Sequence, residues 1–254
     1  MPEIVTIAVC LSDEVTLSDF IPPVEILAGI NLADHPFLGA AMGEVAIRVA
    51  FEYIAPTLNP VVSLFGKATP TFNPTMTYKD AIASGKQFDI IWVPAGKLLC
   101  LRFLPFFADN KLILALRTGP PADPTIPAGR IPQDEIDFIK QQTPNAKYVL
   151  SVCGGAYQLA LAGVLSGKRA TTNKQFFRIV EAMTPKDIEW VAKARWVIDG
   201  KIWTSSGVAA GSDMALAFVE HITNARVAKS IRGGIEIPEA GQDDDPFAAI
   251  HGLV

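Results

Sequence analysis

The stretch YVLSVCGGAYQLALAGVLSG, residues 148–167, decides the fold. YVLSV is a short apolar run of strand type and a helical pattern follows at once, so a cysteine and two glycines stand where a strand gives way to a helix. The same alternation extends in both directions. EIVTIAVCL reads as a central parallel strand buried on both faces, and TLSDFIPPVEILAGINLA as a helix with Ser18 or Asp19 at its cap and its prolines in the first turn. AIRVAFEYIAP, VVSLFGK and the stretch around TPTFNPTMT read as short strands, YKDAIASGKQ as a short helix, and FDIIWVPAGK as a buried strand ending in a turn. LRFLPFFADNKLILALR is helical with a break at Pro105, whereas TGPPADPTIPAGRIP is too dense in proline and glycine for a regular element and is expected to be a surface excursion, a candidate lid.

Downstream, PQDEIDFIKQQTP is an amphipathic helix leading into YVLSV, and LALAGVLSGKRATT is a helix, a turn and a short strand. QFFRIVEAM is helical, WVAKARWVIDGKIWTSSG is a hairpin turning at Asp199-Gly200, and SDMALAFVEHI and NARVAKSIRGGI are the closing helices. Strands alternating with helices, with no repeat and no dividing linker, predict one doubly wound α/β domain over residues 1–235 and an irregular acidic tail over 236–254.

Composition narrows the function. Half of the 254 residues are hydrophobic, enough for a sizeable core, and 26 acidic and 22 basic residues are mixed along the chain for a net charge of -4. With no Lys/Arg cluster to neutralise a row of phosphates, no nucleic-acid partner is expected. No apolar run approaches the roughly 20 residues that span a bilayer, and the start MPEIVTIAVCLSDE is a strand pattern rather than a basic leader. No membrane partner and a cytoplasmic location are therefore expected. Cys10, Cys100 and Cys153 lie far apart without a CxxC pairing, which suggests neither a disulfide framework nor a zinc site. Only His35, His221 and His251 are available where cysteine catalysis would need a histidine.

In open α/β sheets reactive groups collect at the carboxyl ends of the strands. A cysteine there, ahead of a helix, sits at the positive end of the helix dipole, which favours the thiolate, and has unpaired backbone N–H groups nearby. Gly154 and Gly155 clear side chains from that turn, and Pro94-Ala95-Gly96 at the neighbouring strand end would supply further donors for developing negative charge, with Ala95 and Gly96 as pocket residues. A lone cysteine in a parallel sheet is ordinarily packing, but the two glycines and the immediate helix favour chemistry for Cys153. Cys10, inside an apolar strand, is read as packing, and Cys100 is given no role.

These residues resemble the ThiJ/PfpI superfamily, whose members share a class I glutamine-amidotransferase-like, flavodoxin-like sandwich with a nucleophile elbow. VCGGAYQLALAGVLSGKRATT resembles the elbow, LSDFIPPVEIL the first-helix motif, IIWVPAG the strand that carries PGG, and VIDGKIWTSSGVAAGSDMALAFVEHI the late hairpin and helix. The nearest pattern is the isonitrile hydratase group, with its motif like LDFTGPYEV, which sets Asp19 on the functional acid, Pro23 on the family proline and Glu25 on its glutamate. Two positions depart from that group: Gly154 replaces a hydroxyl residue directly after the cysteine, and Asn173 stands where ATTH would place a histidine. Peptidase-like members carry a histidine directly after the cysteine, which is absent here, and too few residues follow Gly234 for the helix-turn-helix of the regulators.

The resemblance implies a homodimer without cofactor or metal, acting on a small molecule. It also implies that Cys153 attacks the terminal carbon of an isonitrile and that water hydrolyses the thioimidate to a formamide, with Asp19 moving the proton. Two other readings stay open: a glyoxalase of the same superfamily, which usually relies on a histidine at Asn173, and an oxidation-sensitive cysteine sensor. From the residues alone, Asp19 also reads as a helix cap, Asn173 as a polar turn residue, and Asp213 as a first-turn acid satisfied by the helix dipole.

Overall fold

Period-two apolar residues at the start of the chain set the centre of the molecule. In β1 (Glu3–Cys10), Val5, Ile7 and Val9 point into one core and Ala8 and Cys10 into another, so the strand is covered on both faces. The computed structural model describes residues 1–96 and 131–254. The predicted helix of LRFLPFFADNKLILALR, most of the candidate lid and Cys100 lie outside the described residues.

β1 is flanked by β2 (Ile47–Ala55), with β3 (Met76–Thr77) beyond it, and on its other side by β4 (Ile90–Val93), then β5 (Tyr148–Val152). These pairings are all parallel. Past β5 lie β9 (Ile202–Ser205), parallel to it, and the edge strand β8 (Trp196–Asp199), antiparallel to β9. The order β3-β2-β1-β4-β5-β9-β8 is the predicted doubly wound sheet. A separate parallel pair, β6 (Arg169–Ala170) and β7 (Glu189–Trp190), stands beside it.

Helices cover both faces. On one side α1 (Ile21–Ala28) packs with the two long closing helices, which reach the sheet through Met214, Phe218, Val219, Val227 and Ile231. Short α2 (Gly39–Met42) adds Met42 to that core. On the other side α3 (Tyr78–Ser84), α4 (Gln133–Gln142) and α5 (Gly155–Leu161) bury Tyr78, Phe138, Ile139, Ala156 and Leu159 against β1, β4 and β5. α6 (Phe177–Met183) follows β6, α7 (Val208–Ile222) and α8 (Ala225–Ile235) are the closing helices, and α9 (Phe247–Ile250) lies in the tail. Edge-to-face contacts of Phe218 with Trp203 at 5.2 Å and Tyr148 at 5.0 Å tie α7 to the sheet, each contributing about 0.5–1.5 kcal/mol beyond area burial.

Four local expectations change. VVSLFGK forms isolated bridges and a 3-10 turn at Gly66–Ala68 rather than a strand, and TPTFNPTMT contributes only β3 and one bridge, because Gly66 takes φ +62° and the surrounding prolines lack ladder donors. The hairpin turns at Gly200-Lys201: Asp199 pairs with Ile202 and Gly200 alone takes the positive φ, while the Asp199 carboxylate accepts hydrogen bonds from Arg169 N–H and Lys168 Nζ. α7 begins at Val208, so Asp213 is not in its first turn; it is buried and paired with Arg195, whose Nε donates to it at 3.0 Å. The 236–254 tail is irregular apart from α9, and it is fastened to the body. Asp245 lies buried 3.5 Å from buried Lys174, and the Gln242 carbonyl accepts from Arg195 N–H at 2.7 Å.

Candidate active site

The turn after β5 is strained at one residue. Cys153 has φ +58°, a left-handed conformation that costs a non-glycine residue about 1–2 kcal/mol and persists only where neighbours fix it. Both of its peptide groups are held: Cys153 N–H donates to the Ser205 carbonyl at 3.2 Å, and Thr172 Oγ1 donates to the Cys153 carbonyl at 2.7 Å. Gly155 is required by close approach, since a Cβ there would stand 2.0 Å from the Val93 carbonyl oxygen. The end of β4 thus presses on the first turn of α5, and Cys153 itself is buried, 8% exposed.

Asp19 arrives from the other side. It closes a 3-10 turn, Leu17–Asp19, and does not cap α1, whose cap position is Phe20 and whose prolines sit in the first turn as expected. Its side chain turns inward with no solvent exposure, and Oδ2 accepts from Ala95 N–H at 3.1 Å. Its carbonyl accepts from Trp92 Nε1 at 3.2 Å. Oδ1 has no conventional hydrogen-bond partner among the described residues, and the Cys153 thiol lies within hydrogen-bonding range of this carboxyl.

Burial dominates the electrostatics of the pair. It pushes the Asp19 carboxyl up to about 7, against the lowering by the Ala95 amide and the thiol. Burial, reinforced by the Asp19 charge, holds the Cys153 thiol well above its ordinary range; the Gly154 amide and the Asn173 side chain oppose this only in part. The expected thiolate is therefore corrected to a resting thiol, because burial and the Asp19 charge outweigh the Gly154 amide and the Asn173 side chain. Such a pair can react by passing the thiol proton to Asp19 as the sulfur attacks.

The sequence-predicted pocket residues divide. Gly154 offers its amide to the sulfur, and Asn173 meets the cysteine while its Oδ1 also accepts from Gln175 N–H at 3.0 Å, so it is both a pocket and a turn residue. Ala95 and Gly96 are corrected: their amides are not free anion donors, because Ala95 N–H is taken by Asp19 and Gly96 N–H by Gln158 Oε1 at 3.3 Å. A cleft of about 280 Å³ opens beside Asn173 and Gly207, with Gln175 and Arg195 at its sides and Phe247 and His251 from the tail as a further wall. The tail's place there is not written in its composition. Among the described residues there is no cluster of His, Cys, Asp or Glu able to hold a metal, and no helix is long and apolar enough to cross a membrane.

Comparison with known proteins agrees with this architecture. Residues 128–221, which include Cys153 and Asn173 but not Asp19, match the DJ-1/PfpI family. An isonitrile hydratase from Pseudomonas putida is 34% identical over 114 residues, 44% of this chain and 48% of that protein, so the match spans about half of its length. The fold matches a THiJ/PfpI family protein from Pseudomonas syringae with TM-score 0.63 and 21% identity, over 94% of this chain and 78% of that one. Drosophila melanogaster DJ-1beta is similar at TM-score 0.63 and 16% identity, over 94% of this chain and 100% of that one. Residues 128–221 are thus similar to the DJ-1/PfpI family, and the parallel-dominated sheet around the strained Cys153 turn shares the fold of these structures.

Proposed function

We propose that the protein is a cysteine-dependent hydratase of isonitriles, converting R–NC and water into an N-substituted formamide. The observation that carries this reading is the buried Asp19–Cys153 pair, an acid with one oxygen left for the thiol proton and a nucleophile fixed on a strained turn. The 34% identity to an isonitrile hydratase over 114 residues supports the same chemistry.

Sulfur forms a bond to the terminal carbon of the isonitrile while Asp19 takes the thiol proton and returns it to that carbon, giving a thioimidate. Water then adds to the same carbon, nitrogen takes a proton, and the C–S bond breaks to release the formamide and regenerate the thiol. A carboxyl near 7 exchanges protons in both directions at neutral pH, which suits both steps. Gly154 N–H and Asn173 are placed to stabilise charge on sulfur. The cleft beside Asn173 would take the substituent R, and because Arg195 is already paired with Asp213, its walls favour a neutral, partly apolar group.

Burial that keeps the sulfur protonated slows reaction with peroxide, which disfavours a purely redox-sensing role. The test is turnover of cyclohexyl or p-nitrophenyl isocyanide by pure protein, read as formamide release. It is expected to vanish in Cys153→Ala and to fall by about 10²–10⁴ in Asp19→Asn, the range of a lost proton-transfer group. No release by the wild-type protein rejects the reading, and D-lactate from methylglyoxal would replace it with a glyoxalase.

A further inference from the structure

A second buried carboxyl lies on the far side of the Ala95–Gly96 segment. Glu135, in the first turn of α4, is fully buried and has both oxygens occupied. Ser12 Oγ donates to Oε2, and Gln158 Nε2 donates to Oε1 at 2.6 Å. The Gln158 amide is thereby fixed with its oxygen turned the other way, where it accepts from Gly96 N–H at 3.3 Å. Ser12 also presses on the same glycine: a Cβ on Gly96 would stand 2.4 Å from Ser12 Cβ and Oγ, so this segment is held against Ser12 without slack. One peptide earlier, Ala95 N–H donates to Asp19. The bonds form one chain from Glu135 through Gln158, Gly96 and Ala95 to Asp19, and from there to Cys153.

We propose that Glu135 is a positioning residue for the Asp19–Cys153 pair, acting through Gln158 and the Ala95–Gly96 peptide. Without Glu135, the Gln158 amide has no reason to keep its oxygen toward Gly96, the 94–96 segment loosens, and Asp19 loses the amide that favours its ionised form. The groups whose charges reach Glu135 are Asp13 and Asp134, with Tyr78 and Cys10 packed nearby; Asp19 is faced by Cys153. The inference rests on Cys153 and Asp19 being the reactive pair, but not on the identity of the substrate.

The test is the pH dependence of Cys153 alkylation by iodoacetamide, followed by peptide mass mapping. Glu135→Leu is expected to raise the midpoint by about one pH unit, so that alkylation at neutral pH falls about tenfold, the size of one lost amide bond to a carboxylate. Glu135→Gln should retain the wild-type midpoint, because its carboxamide can donate to Ser12 and accept from Gln158. If Glu135→Leu does not fold, Gln158→Met decides, since it leaves the Glu135–Ser12 contact intact and should show the same upward shift. Folded Leu or Met variants with the wild-type midpoint would reduce Glu135 to a structural residue and overturn the proposal. Because alkylation reports on the thiol alone, this result stands apart from any failure of isocyanide turnover.

Discussion

Two strand ends of this sheet each bring a cysteine close to a buried carboxyl, and only one is built to react. On one face Cys10 lies near Glu135; at the end of β5 Cys153 faces Asp19. Both thiols are pushed up by burial and by the neighbouring acid, and both acids are pushed up to about 7. The differences lie elsewhere. Cys10 is in a regular strand, fully buried, with its side chain against Tyr78, and both Glu135 oxygens are occupied by Ser12 and Gln158. Cys153 sits in a left-handed turn at the end of an interior strand, next to Asn173 of the cleft wall, facing an acid with a spare oxygen. Proximity of acid and thiol is thus not enough: an unsatisfied carboxylate oxygen and a strained turn that fixes the cysteine make the site.

The widest separation should be chemical. Cys153→Ala is expected to abolish isocyanide turnover, a loss of at least about 10³, whereas Cys10→Ala should leave the rate within about threefold. Peptide mapping of the wild-type protein after iodoacetamide should find Cys153 modified first, because Cys10 reacts only through local opening. Equal loss in the two alanine variants would erase the contrast.

A smaller effect concerns stability. Because the folded-state pKa of Asp19 is raised from 3.8 to about 7, the native protein binds more protons than the unfolded chain between those values, and stability falls as pH rises through that window. Asp19→Asn removes this dependence and should therefore be more stable than wild type at pH 8, by on the order of 2–4 kcal/mol, with little difference near pH 4. Urea unfolding at the two pH values measures it. A variant that gains nothing at pH 8 would mean that the carboxylate is not paying a burial penalty.

The smallest effect isolates backbone strain. Cys153→Gly should be more stable than Cys153→Ala by about 1 kcal/mol, since glycine accepts the left-handed turn freely. At Cys10, in an extended strand, the order should reverse, with Cys10→Gly less stable than Cys10→Ala. Thermal melting of the four variants reads both signs.

The strand–CGG–helix pattern made the sheet and the position of Cys153 legible in the sequence, because hydrophobic period and turn chemistry are local signals. Asp19 was not legible in that way: an acid ahead of a helix reads equally as a cap, and only the resemblance set it beside the cysteine. The amides of Ala95 and Gly96 were expected to be free, since a turn pattern cannot reveal that side chains 62 and 76 residues away will claim them. Glu135 is one of two acids in a helical first turn, and its residue type alone does not single it out. A signal is present, because Glu135 falls three and four residues before Phe138 and Ile139, at helical spacing from both, while Asp134 is at that spacing from Phe138 alone. A carboxyl on a buried stripe asks for partners, and those partners are set only by the folded chain.

The most direct test of the central claim is the rate of Cys153 alkylation as a function of pH in the wild-type protein and in Asp19→Asn. If Asp19 receives the thiol proton, the wild-type rate rises with a midpoint near 7, the value to which burial pushes this carboxyl, and Asp19→Asn loses that step and reacts only as pH climbs beyond the ordinary thiol range. Superimposable profiles for the two proteins would contradict the account.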